Sequence, residues 1–251
     1  MARRPPERDI APVAQRLRLR YAKRGRLRFS SHRDFQRALE RALRRAEIPM
    51  AFSAGFSPHP KISYANAAPT GAASEAEYVE IGVTKPLDPD HVRQSLDAAL
   101  PPGLDIVDVV EARSGDFAAR LQASEWQMEF AELDPDELSA AVAAFLAAEE
   151  VLVDRMTKNG RRTFDTRVAV VRATIGQPQA GYAILNVAAR HTTPAVRPDD
   201  IVTALTNVAD LVPPKPPRFT RLAQGPLDPD TALVGDPFAQ DRELAAHASA
   251  T

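Results

Sequence analysis

Cysteine is absent from the 251 residues. That excludes disulfides, thiolate zinc sites, a cysteine nucleophile and an iron–sulfur cluster held by this chain. Also missing is any run of about 18 apolar residues, the length a membrane-spanning helix needs. The opening MARRPPERDIAP has charge but no hydrophobic segment, so a secretory signal is not expected and a cytoplasmic protein is. No Walker or dinucleotide glycine pattern occurs. The five histidines, His32, His59, His91, His191 and His247, include no pair at ligand spacing. Neither a metal nor a cofactor is therefore expected.

The length suits one large domain or two small ones. A formal net charge of −1 conceals a strong asymmetry. Residues 1–64 hold 16 Lys/Arg against 5 Asp/Glu, and residues 65–251 hold 16 against 28. A basic segment ahead of an acidic remainder points to a polyanion-facing end. The alternative is that the two parts attract each other or keep the surface soluble.

In QRLRLRYA, residues 15–22, Leu17, Leu19 and Tyr21 alternate with Arg16, Arg18 and Arg20, the period of a half-buried strand. The arginines are expected on its outer face. After a bend at Lys23-Arg24-Gly25 the alternation resumes, with Leu27 and Phe29 expected inward. Ser31 caps a helix, with Asp34 as a short capping-box acid. At 100° per residue, Phe35, Leu39, Ala42, Leu43 and Ala46 share one side of that helix and Arg33, Arg37, Arg41 and Arg44 the other. Pro49 is expected to end it. Residues 50–66 read as a strand, a loop at 55–60 and a resumed strand through Ile62 and Tyr64. A strand at 77–83, a helix opened by Asp88-Pro89-Asp90 and a strand at 104–110 follow.

The second half repeats this order. A strand carries Trp126, Met128 and Phe130, and Asp134-Pro135-Asp136 opens a helix. Strands at 151–153, 164–175 and 182–189 follow, then a helix from 197–200 and a last strand at 218–222. Lys158-Asn159-Gly160-Arg161-Arg162 reads as a basic hairpin turn. The expected fold is α+β: two tandem ferredoxin-like (βαββαβ) subdomains with antiparallel sheets. They span residues 15–112 and 121–222, with 1–14 a disordered N-terminus and 223–251, rich in Pro, Ala and Asp, a disordered C-terminal tail.

Two features carry candidate chemistry. The arginines Arg16, Arg18, Arg20, Arg33, Arg37, Arg41 and Arg44 suit bidentate phosphate contacts and base stacking. The aromatic pair of a classical RNA-recognition module is missing, however. The loop GFSPHP, residues 55–60, is stiffened by two prolines and presents His59 beside Lys61. With His32 at the helix start, it suits phosphodiester binding or general acid–base work. The bland alternative is a structural loop histidine and a surface neighbour of the cap.

The stretch FSSHRDFQRALERALRRAEIPMAFSAGFSPHPKISYANAAPTGAASEAEY resembles the radical SAM-associated (radical SAM-linked) protein family. The matching positions are Ser31, His32, Asp34, residues 40–46, residues 55–63 and residues 74–78. Residues 159–167 and 196–200 look like its later motifs, while Arg33 departs from an apolar position. The resemblance implies an uncharacterised domain found beside or fused to a radical SAM enzyme. Without cysteine, radical chemistry would belong to a separate partner chain. The βαββαβ plan is also similar to that of CRISPR repeat-processing endoribonucleases, an analogy of fold alone.

The leading expectation is a non-catalytic accessory protein of a radical SAM enzyme, binding RNA through an arginine-rich surface. One alternative is a metal-independent RNA-processing enzyme using His32 and His59. Another is a protein–protein interaction module without nucleic acid.

Overall fold

The computed structural model describes residues 11–157 and 160–249. The chain divides into two compact units, Met1–Ala118 with Phe238–Thr251, and Ala119–Pro237.

The first unit runs β1 (Gln15–Lys23), α1 (His32–Arg45), β2 (Ile62–Ala65), β3 (Ala73–Val83), α2 (Pro89–Ala99) and β4 (Leu104–Glu111). A short α3 (Phe117–Arg120) falls at the boundary between the units. Leu17 of β1 and Ile62 of β2 both pair with Ile81, so β3 lies between them. With β4 on the other edge of β1, the antiparallel order is β4–β1–β3–β2. One face is dry: Leu17, Leu19 and Tyr21 pack with Phe35, Leu39 and Leu43 of α1 and Val92 and Leu96 of α2. Tyr21 stacks on Phe35 at 3.8 Å. Strand alternation and helical period therefore converge on one core.

The second unit contains β5 (Ala123–Ala131), α4 (Pro135–Ala147), β6 (Leu152–Thr157), β7 (Gly160–Asp165), β8 (Val170–Gln179), β9 (Tyr182–Arg190), α5 (Pro198–Ala209) and β10 (Arg218–Gly225). Its antiparallel order is β10–β5–β9–β8, with β6–β7 a separate hairpin. Counting that hairpin as an insertion, the two units share one plan: strand, helix, strand, strand, helix, strand, in sheet order fourth, first, third, second. The Asp-Pro helix starts act alike in both. Asp88 accepts from the His91 N–H at 3.1 Å and Asp134 from the Asp136 N–H at 2.9 Å.

Five local expectations need correction. Residues 25–29 form a 3-10 turn rather than strand, and Phe29 is exposed. Gly25 takes a left-handed φ of +55°, and the Leu27 N–H turns back to the Arg24 carbonyl at 3.0 Å, which ends the strand. α1 stops at Arg45, ahead of Pro49, because Glu47 adopts a left-handed φ of 53°. Met50 and Phe52 make isolated bridges instead of a strand. The expected strand at 164–175 is the end of β7, a 3-10 turn and the start of β8. The tail is ordered: β10 reaches Gly225, Leu227 bridges Val234, and α6 (Ala239–Ser249) follows. Two anchors explain this despite the polar composition. Phe238 is fully buried against Tyr78 and Phe117, and Asp241 pairs with Arg18.

Residues 1–10 and the Lys158-Asn159 step of the basic turn lie outside the described residues; Thr157 pairs with Gly160 across them. Among the described residues no helix is long and apolar enough to cross a membrane.

Candidate functional site

The first helix sorts its charge as sharply as the sequence suggests. The capping box is complete: the Asp34 N–H donates to Ser31 Oγ at 3.2 Å, and the Ser31 N–H donates to the Asp34 carboxylate at 3.1 Å. The Ser31 hydroxyl and N–H hold the Asp34 carboxyl below its ordinary range, with Arg37 adding attraction. Phe35, Ala38, Leu39, Ala42 and Leu43 are buried, which fixes the helix's rotation. Arg33, Arg37, Arg41 and Arg44 are consequently all exposed. Among the described residues none gives these four a hydrogen bond or an ion pair. Arg45 differs, donating to the Ala99 carbonyl at 3.0 Å.

The loop after α1 is a closed bracket. The Ala51 N–H donates to Gly82 O, the Gly82 N–H to Lys61 O and the Lys61 N–H to Ala51 O, each within 2.9 Å. Inside, the Ser53 N–H donates to His59 O, and Ser53 Oγ accepts from the His59 N–H at 3.1 Å. The Ser53 hydroxyl lies 2.9 Å from His59 Nδ1. That contact fixes the ring and turns Nε2 outward. Gly55 has φ +130°, a conformation side chains disfavour. The bracket presents Phe52 and Phe56, 44% and 56% exposed. Alternation patterns had no means of finding them, since the loop obeys neither period.

The strand arginines behave differently, because they project from the sheet face opposite α1 and α2. Arg16 is exposed and pairs with Glu80 at 3.1 Å. Arg18, expected on the outer face, is 3% exposed. It donates to Glu80 at 3.0 Å and Asp241 at 2.6 Å, with its guanidinium over the Phe117 ring. Arg20 is half-buried, with Nε unpartnered among the described residues. α6 and residues 114–117 cover part of the face that sequence alternation left open. The strand and helix arginines therefore belong to two surfaces.

Two recesses lie on this side. One, of about 250 Å³, brings together Arg16, His59, Lys61, Ser63 and Glu80. The other, of about 540 Å³, adjoins Arg16, Arg18, Tyr64, Asn66 and residues 112–118. His32 lines neither. It hydrogen-bonds Gln36 at 3.0 Å and meets Tyr64 edge-on, ring centres 4.8 Å apart. Burial, with Glu40 assisting, pushes the Tyr64 hydroxyl well above its ordinary pKa.

A serine–histidine pair in the second unit was not anticipated. His191 Nδ1 lies 2.6 Å from the Leu121 carbonyl and must carry the proton there, so Nε2 accepts from the Ser124 hydroxyl at 2.8 Å. Ser124 is 2% exposed, which denies a substrate access. Among the described residues no three His, Asp or Glu side chains form a metal-binding group.

The family described as "Uncharacterized protein conserved in bacteria (DUF2344)" matches residues 16–198. The chain belongs to that family. The matched span of this DUF2344 protein contains β1, α1, the bracketed loop and most of the second unit. No curated protein matches it. A solved structure, the encapsulated DyP-type peroxidase from Mycobacterium smegmatis, is similar at 11% identity over 88% of this chain and 94% of that one. Its TM-score of 0.21 carries no argument about fold or activity.

Proposed function

We propose that this DUF2344 protein is a non-catalytic, cytoplasmic accessory protein that binds RNA through the arginine face of α1. Its partner would be a radical SAM enzyme on a separate chain. The observation that carries the RNA reading is the set of four exposed guanidiniums, Arg33, Arg37, Arg41 and Arg44, unpaired among the described residues and set on a helix locked by its buried side. Arginines kept for internal structure find acceptors within the fold, as Arg18, Arg24 and Arg155 do in carboxylates and Arg45 does in a carbonyl. Among the described residues these four find none, and they form a cationic stripe that phosphates can neutralise. Exposed Phe52 and Phe56 add π-faces on which unpaired bases stack.

The shared strand and helix order of the two units supports reading each as ferredoxin-like, with the bracketed loop and the β6–β7 hairpin as equivalent insertions after the first helix. The radical SAM association rests on the resemblance of residues 29–78 to that family. An accessory role is favoured over RNA cleavage because His59 shares a recess with Arg16 and Lys61, while His32 is engaged with Gln36 and Tyr64.

Binding of a mixed single-stranded RNA pool to wild type and to the Arg37→Glu/Arg41→Glu double variant tests the reading. The wild type should bind in a salt-sensitive manner and the variant should not. Equal, weak binding by both would end it. Co-purification of a radical SAM enzyme that survives nuclease treatment supports the partner assignment; loss of α1-dependent capture without RNA places the contact on nucleic acid.

A further inference from the structure

The Arg18–Asp241 contact gathers several donors on one group. Four donors converge on one carboxylate oxygen, Asp241 Oδ1. They are Arg18 Nη1 at 2.9 Å, the N–H groups of Arg113 and Ser114 at 3.0 Å each, and the Ser114 hydroxyl. Oδ2 receives Arg18 Nη1 at 2.6 Å. A carboxylate oxygen offers about two lone pairs, so these donors exceed what one such oxygen accepts well. Successive backbone N–H groups, a serine hydroxyl and a guanidinium are the donor set of a tetrahedral oxyanion site, where several terminal oxygens divide them.

The carboxylate is carried in by a helix rather than by the sheet that holds Arg18. It comes from α6, where Ala239, Gln240, Arg242, Glu243 and Leu244 are exposed, and Asp241 is 1% exposed. Besides Asp241, Phe238 and the ion pair of Arg242 with Asp108 anchor the segment. The guanidinium is held from several sides. Arg18 sits mid-strand in β1, with Nε on Glu80 and Nη2 donating to the Ser114 carbonyl at 2.7 Å. Both Arg18 and Ser114 line the recess of about 540 Å³, to which Arg16 adds a second cation and Glu80 and Asp116 add negative charge.

We propose that Arg18, Ser114 and the Arg113 and Ser114 amides form a phosphate-binding site. In this structure Asp241 occupies it, and α6 is the plug that an incoming phosphate group displaces. The site lies on the sheet face away from α1 and is independent of the RNA reading. A phosphate entering it exchanges one carboxylate for an oxyanion with more acceptors. The single-charged form meets the donors with least repulsion from Glu80 and Asp116.

Chemical rescue tests this in the full chain. Asp241→Ala removes the acceptor that Arg18 and the Arg113 and Ser114 amides share and should lower thermal stability. Inorganic phosphate at matched ionic strength should restore the melting temperature of the variant and should move wild type at least tenfold less readily in concentration. Acetate should restore it poorly, and Arg18→Gln added to Asp241→Ala should abolish the phosphate effect. Rescue by acetate equal to phosphate, or no rescue at all, overturns the proposal. If the variant does not fold, hydrogen exchange of residues 239–249 in wild type decides: phosphate must accelerate it relative to chloride, and an unchanged rate refutes the plug. Short oligonucleotides with and without a 5′-phosphate identify the source. A preference for the phosphorylated end assigns the site to nucleic-acid termini, and parity with free phosphate assigns it to small phosphates.

Discussion

Neutralising Arg37 and Arg41 to glutamine gives a quantitative test of the α1 surface. Both residues are exposed and make no contact that the fold depends on, so stability should change little, within about 0.5 kcal/mol. Each guanidinium that neutralises a phosphate of single-stranded RNA contributes about −0.7 to the slope of log K against log salt. If all four of Arg33, Arg37, Arg41 and Arg44 engage, α1 contributes a slope of about −2.8 and the double variant keeps about −1.4. Between 50 and 200 mM salt, wild type then loses about 50-fold in affinity through this helix and the variant about 7-fold. Fluorescence anisotropy on a labelled single strand at five salt concentrations reads both slopes. A variant with the wild-type slope would place the phosphate contacts elsewhere and refute the assignment to this helix. A lower affinity at every salt concentration with an unchanged slope would do the same, because counterion release scales with the contacts removed.

Three other outcomes follow from the geometry. Leu39→Ala, at a fully buried position between α1 and the sheet, should cost about 2–5 kcal/mol in urea unfolding, and a cost below about 1 kcal/mol would contradict the core described. Gly225→Ala would set a Cβ 2.0 Å from the Gly235 carbonyl oxygen, so circular dichroism melts should show a clear loss and proteolysis new cleavage in residues 226–237. His191 is lowered by burial, with the Leu121 carbonyl opposing and Arg221 reinforcing the shift. The unfolded chain therefore takes up a proton that the folded one refuses. Stability should fall as pH drops below the ordinary histidine value of about 6.5 and level off beneath the depressed folded value, and His191→Gln should flatten that dependence.

Alternation and helical period alone give the inner faces of β1 and α1 correctly, though not that of Phe29. Leu17, Leu19 and Tyr21 on β1, and Phe35, Leu39 and Leu43 on α1, bury as their spacing requires, since a residue's face follows from local geometry once one side is apolar. The α1 arginines are legible for the same reason, and so is the capping box, which is written within four consecutive residues. Asp-Pro-Asp marks two further helix starts by the same local chemistry. What covers an outward face is not local. Arg16, Arg18 and Arg20 occupy equivalent positions in an alternating strand, yet one is exposed, one buried and one half-buried. The difference arises because Asp241, 223 residues away from Arg18, and Phe238 fold back onto that face. The same fact removes the disordered tail. In composition, residues 223–251 are polar and proline-rich, and composition averages away the one phenylalanine and one aspartate that hold them. The sequence by itself determined the buried sides of β1 and α1 and the cationic stripe, because those depend on periods of two and 3.6. Only the tertiary structure decided which arginines remain available to a ligand, because pairing between distant charges depends on which segments meet.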